Sequence, residues 1–125
     1  MSNRMEHLRD LRSQSDGPPV VLVPGIDGTA LLFYRQQPLL AEHFDVVAFP
    51  LPKDDPAATT MASLVDDLAG VIEEVSSEGA IVVGESFGGA LSMSLAISRP
   101  DLVAGLVVVN SFPYFDERVK LQLAP

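Results

Sequence analysis

The 125 residues contain no cysteine and carry a formal net charge of −9. That excludes a disulfide framework, a thiolate metal site and a redox thiol, and it argues against nucleic acid or an anionic membrane surface as a partner. With 47% apolar and only 20% charged residues, the composition is that of one globular domain able to bury a sizeable core, not of a disordered chain.

Residues 1–19 form a polar leader that closes on Gly17-Pro18-Pro19. It has no apolar stretch of the kind a secretory signal needs, and no run anywhere is long enough to span a bilayer, so a cytoplasmic chain without a transmembrane segment is expected. Val20 to Val23 is a short β-branched run stopped by Pro24-Gly25, which reads as a buried strand. After the turn "PGIDGT", in which Thr29 is placed to cap, a helix is expected from Ala30 to about His43. Leu32, Phe33, Leu39 and Leu40 would pack it, and Pro38 would kink it.

Asp45 to Phe49 reads as the second strand. The clearest helical pattern follows, with Leu64, Leu68, Val71, Ile72 and Val75 on one face and Gly79 expected just past its end. Ala80 to Val83 is the third strand. Ser86 to Ser98 is an almost wholly apolar helix, expected to be deeply buried. Leu106 to Val109 is the fourth strand. Strands without polar alternation, separated by helices, imply an α/β fold with a parallel sheet covered on both faces and the strand order 2-1-3-4. The switch point would then lie between the first and third strands, where "PGIDG" and "GESFGG" meet.

Gly84-Glu85-Ser86-Phe87-Gly88 has the G-x-S-x-G form of a nucleophile elbow. The serine must stand on a tight, strained strand-to-helix turn, and Gly84 and Gly88 avoid clashes with crowded backbone on either side. Acyl transfer through such a serine needs amide donors for the developing oxyanion. The Phe87 amide supplies one by position, and Ile26 supplies the other, because Gly25 lets the loop turn that amide inward. Asp27 is the fallback, and an ordinary turn in which Asp27 bonds its own backbone stays open. No dinucleotide or Walker-type glycine pattern is present, and Asp54-Asp55 and Asp66-Asp67 lack the supporting ligands of a metal site. No cofactor is expected.

These two stretches, "LVPGIDGTALLF" and "GESFGGALSMSLAISRPDLVAGLVVVNS", resemble the α/β-hydrolase superfamily, most closely its esterase, lipase and thioesterase branch with the phytyl ester synthase-like acyltransferases. The resemblance runs from about Val20 to Phe112, within a hydrolase domain spanning residues 20–125. It implies an acyl-enzyme on Ser86, an oxyanion hole from the amides of Phe87 and Ile26, and a small acyl ester or thioester as substrate. Water or an alcohol would resolve the acyl-enzyme.

In that family the acid and then the histidine follow the serine, and no histidine follows Ser86 in this sequence. His7 sits in the leader, and His43 is expected at the far edge of the sheet. Asp116 and Glu117 have no base to orient. The chain therefore reads as the amino-terminal half of a hydrolase, truncated after the strand that follows the serine helix and inactive by itself. A histidine lent by another chain, or a non-catalytic module that has kept the elbow, are the other readings. The apolar "LVVV" would be left as an unpaired edge prone to self-association.

Overall fold

The computed structural model describes residues 12–13, 16–26, 33–51 and 59–112. The expectations placed on His7, Asp27, Thr29, Ala30, Leu32, Asp54, Asp55, Asp116 and Glu117 lie outside them. Four parallel strands form one sheet in the order β2-β1-β3-β4, with β1 at Pro19–Val23, β2 at Asp45–Ala48, β3 at Ala80–Glu85 and β4 at Val103–Val109. The expected strand order is the one found. β1, β3 and β4 run longer than expected, whereas β2 stops at Ala48, one residue short of the expected Phe49. β3 extends to Glu85, and β4 starts at Val103, directly after a 3₁₀ turn at Pro100–Leu102.

Alternation along the strands divides the core. Val21, Val23, Val47, Phe49 and Val82 face one layer with Leu64, Leu68, Ile72, Leu91 and Leu95, which come from the helices α2 (Met61–Val75) and α3 (Phe87–Ser98). Val20, Leu22, Val46 and Ala48 face the other layer with Phe33, against which Leu40 of α1 (Gln36–Ala41) is partly buried. Burying each large aliphatic chain here contributes about 1.5–3 kcal/mol. The long helix α2 has a capping box: the Ser63 amide donates to Thr60 Oγ1, and the Thr60 amide donates to Ser63 Oγ at 2.9 Å.

Several helical expectations need correction. α1 is a six-residue helix with no buried residue, not a long packed one. Pro38 is its third residue, within the first turn, where a missing N–H costs nothing, so it does not kink the helix. Leu39 points to solvent at 65% exposure, leaving Leu40 and Phe33 to pack. α2 ends at Val75 with Ser76 as its cap, so Gly79 is not the terminating residue. Gly79 takes φ +85° in the turn into β3, hard against the backbone of Leu102. α3 is buried over Gly88–Ser92 and at Leu95, but Ile97 near its end is 84% exposed.

Residues 12–13 are tied to the sheet. Arg12 bridges antiparallel to Val47, and its guanidinium forks onto the buried Asp45 carboxylate. The hydrogen bonds to Asp45, helped by its negative charge, keep the Arg12 guanidinium above its ordinary pKa against the opposing effect of burial. The Ser13 amide donates to the Val46 carbonyl, and the Val46 amide donates back to Ser13 Oγ. This segment covers the outer edge of β2. At the other side, among the described residues, β4 pairs only with β3, and Leu106 to Val109 are each more than a third exposed. Among the described residues no helix is long and apolar enough to cross a membrane.

Candidate active site

β1 and β3 lie side by side, with Val23 opposite Gly84. The chain leaves β1 through Pro24-Gly25-Ile26 and leaves β3 through Ser86, so both loops emerge at the carboxyl end of the sheet. Ser86 is the single residue between β3 and α3, with φ 56° and ψ −119°. A residue with a Cβ pays a cost of about 1–3 kcal/mol to sit in such backbone geometry. Its side chain caps nothing in α3.

The glycines around Ser86 are required by contact. A Cβ on Gly84 would lie 2.5 Å from the Gly88 carbonyl oxygen and 2.7 Å from Ser92 Oγ. One on Gly88 would lie 2.3 Å from the Val23 carbonyl oxygen and 2.4 Å from that of Pro24. The absence of these side chains lets the first turn of α3 rest directly on the end of β1. That contact sets the Gly25 loop beside Ser86: a Cβ on Gly25 would be 3.3 Å from the Ser86 Cβ and 2.7 Å from Glu85 Oε2. Ser92, fully buried in α3, spends its hydroxyl on the Gly88 carbonyl at 2.6 Å.

Ser86, Phe87, Gly84, Gly88, Gly25 and Ile26 are thus brought to one place, as the two glycine clusters suggested. Ile26 is 61% exposed at the rim of the site. Phe87 opens α3 and packs its ring partly against the α2–α3 core. His43 belongs elsewhere. It precedes β2, and its carbonyl abuts Gly17 just before β1, at the amino ends of the strands. The length of the sheet separates it from Ser86, as expected. Asp66 lies on the exposed side of α2. Among the described residues no group of three or more metal-ligating side chains converges.

One contact was not legible in the sequence. Ser111 Oγ donates to the Ser86 carbonyl at 2.5 Å, across a separation of 25 residues. Only the polar Asn110-Ser111 pair after the last apolar run hints at it.

Residues 18–124 match the model of the alpha/beta hydrolase fold family. The chain belongs to that family. RutD of Serratia proteamaculans, which carries a carbamate-hydrolase name, is 30% identical over 109 residues, covering 82% of this chain and 41% of its own length. Phytyl ester synthase 2 of Arabidopsis thaliana is 34% identical over 104 residues, covering 77% of this chain and 14% of its own. Among solved structures, a carboxylesterase of Nitrososphaera gargenis superposes with a TM-score of 0.71 at 30% identity, over 83% of this chain and 41% of that one. The chain thus spans about two fifths of the length of the hydrolases that it matches first.

Proposed function

We propose that Ser86 is the nucleophile of a carboxyl ester or thioester hydrolase and that this family member works through an acyl-enzyme. The observation that carries the reading is the backbone of Ser86, held at positive φ between β3 and α3 by glycines that tolerate no Cβ. Serine gains nothing structural there, since it makes no cap, and the strain is intelligible if the hydroxyl must stand clear above the sheet. The hydroxyl oxygen would attack the substrate carbonyl carbon while its proton passes to a base. The amides of Phe87 and Ile26 would receive the negative charge that develops on the carbonyl oxygen. The tetrahedral intermediate would then collapse by breaking the bond to the alcohol or thiol, which leaves with the proton held by the base. Water would attack the acyl-enzyme, release the acid and restore Ser86.

Among the described residues no histidine stands where it could serve as the base. No histidine follows Ser86 in the sequence, and His43 stands at the opposite end of the sheet. Loss of the histidine costs about 10⁶ in the turnover of a serine protease. The isolated chain should therefore hydrolyse p-nitrophenyl acetate barely above background, and Ser86→Ala should change little. Fused to, or mixed with, a carboxyl-terminal hydrolase segment that carries an acid and a histidine, it should turn over the ester in a Ser86-dependent way. Fast Ser86-dependent turnover by the dilute chain alone would contradict this account. Transfer of the acyl group to an alcohol is the second reading, favoured by the similarity to phytyl ester synthase 2. Product analysis with a long-chain alcohol present separates the two.

The isolated chain is also expected to self-associate. Among the described residues β4 is the last strand of the sheet, and it presents the uncharged, exposed run Leu106 to Val109. Light scattering that finds a stable monomer at high concentration would dispose of that expectation.

A further inference from the structure

We propose that Ser111 is a positioning residue that clamps the Ser86 turn in its strained conformation, an inference that rests on Ser86 being the nucleophile. Three observations converge on it. The Ser86 amide donates to the Val109 carbonyl at 3.0 Å, which fixes one side of the turn to the end of β4. Asn110 then takes φ 48°, a left-handed conformation that asparagine tolerates better than most residues, and the chain bends there. After the bend the Ser111 hydroxyl donates to the Ser86 carbonyl at 2.5 Å. That carbonyl also accepts the Gly89 amide at 2.9 Å, so both peptide groups flanking the Ser86 Cα are hydrogen-bonded.

The second glycine of "GESFGG" is explained by the same contact. A Cβ on Gly89 would lie 2.3 Å from Ser111 Oγ and 2.4 Å from Ser111 Cβ. Gly88 opens room for β1, whereas Gly89 opens room for Ser111. With both bonds in place, relaxing Ser86 to a negative φ must strain its contact to the end of β4 on one side and to Ser111, just past β4, on the other. The clamp thus keeps the side chain at the head of α3, within the field of that helix, instead of letting it rotate into the turn.

The sequence has no cysteine, so Ser86→Cys introduces one thiol at the point in question and needs no catalytic histidine to report. The pH dependence of its alkylation by iodoacetamide is to be followed by mass spectrometry, with Ser111 intact and with Ser111→Ala, Ser111→Thr or Gly89→Ala added. Circular dichroism confirms that each variant is folded at the working temperature. A thiol held at a helix amino terminus ionises below its ordinary range, and one released from it returns toward that range. Ser111→Ala should lower the alkylation rate at pH 7 by about 3- to 10-fold and move the profile to higher pH. Ser111→Thr should restore it to within about twofold by keeping the hydroxyl. Gly89→Ala should reproduce the Ser111→Ala profile, and combining the two should add nothing further, a coupling that simple loss of stability does not produce. If Ser111→Ala does not fold, Gly89→Ala carries the measurement. A depressed profile that ignores all three changes overturns the clamp alone. An ordinary thiol profile with Ser111 intact overturns both the clamp and the reading of Ser86 beneath it.

Discussion

Replacing one glycine by alanine should act with opposite sign at two helical positions, and the difference measures how closely α3 is set on β1. Gly70 lies in the middle of α2, exposed, with nothing within 4 Å of an added Cβ. Gly70→Ala should therefore stabilise by about 0.5–1 kcal/mol, the helix-propensity gap between the two residues. Gly88→Ala gains the same propensity but places its Cβ 2.3 and 2.4 Å from two backbone carbonyl oxygens. Ordinary contact begins about 1 Å further out, and backbone cannot rotate away as a side chain can, so α3 or the end of β1 must move. Overpacking of this kind costs about 1–3 kcal/mol and occasionally more. Taking the upper part of that range, Gly88→Ala should be about 2 kcal/mol less stable than the unaltered chain even after the helical gain. Urea unfolding followed by far-ultraviolet circular dichroism reads both. With a slope of about 1–1.5 kcal/mol per molar for a domain of this size, the midpoints should separate by about 2 M. A Gly88→Ala midpoint at or above that of the unaltered chain, with unchanged slope, would refute the close approach and the glycine argument built on it.

Ser86→Gly should raise stability by about 1 kcal/mol, because relief of the positive-φ strain outweighs the added freedom of glycine in the unfolded chain, whereas Ser86→Ala should not; thermal melting compares the two. Arg12→Ala leaves the Asp45 carboxylate buried and unpaired and should cost about 2 kcal/mol, less than a wholly buried pair because Arg12 is itself partly exposed. Adding Asp45→Asn to Arg12→Ala should recover part of that loss, which the same melting experiment detects. The Arg99 guanidinium holds the Asp101 carboxyl below its ordinary pKa and also reaches Glu73 on α2. A depressed carboxylate favours folding above its unfolded pKa and loses that advantage as pH falls through the folded value. The melting difference between the unaltered chain and Asp101→Asn should therefore be present at pH 7, vanish at strongly acid pH and shrink in high salt.

The sheet was legible because each strand contains a β-branched run, the first three cut off by proline or glycine and the fourth by Asn110-Ser111, and because helical spacing in Leu64, Leu68 and Ile72 leaves no doubt about what separates two of them. The serine turn was legible because its glycines sit at fixed offsets that local backbone sterics impose. What escaped depends on distance along the chain. The Arg12–Asp45 pair spans 33 residues and the Ser111–Ser86 bond spans 25, and no local pattern records either. The start of β4 escaped because Gly105 interrupts its apolar run and Arg99-Pro100-Asp101 looks like open loop, although the chain re-enters the sheet immediately at Val103. The length of α1 was overstated because leucines at helical spacing carry no information on whether a core is there to receive them.

The central position of β1 has a consequence for how a nascent chain acquires this fold. β1 can pair with β2 as soon as both have been synthesised, but its other neighbour, opposite Val20, is Ile81, about sixty residues later. Until β3 arrives, one side of this interior strand stays open, and the loop that must close to fill it carries an entropic cost that no local contact offsets. β3, α3 and β4 are by contrast contiguous and can assemble among themselves. Docking of that unit onto β1 is expected to be the slow step, and it is the event that presses Gly88 against the carbonyls of Val23 and Pro24 and brings the Gly25 loop beside Ser86. The two halves of the candidate site are synthesised far apart in time and come together only when the sheet itself closes.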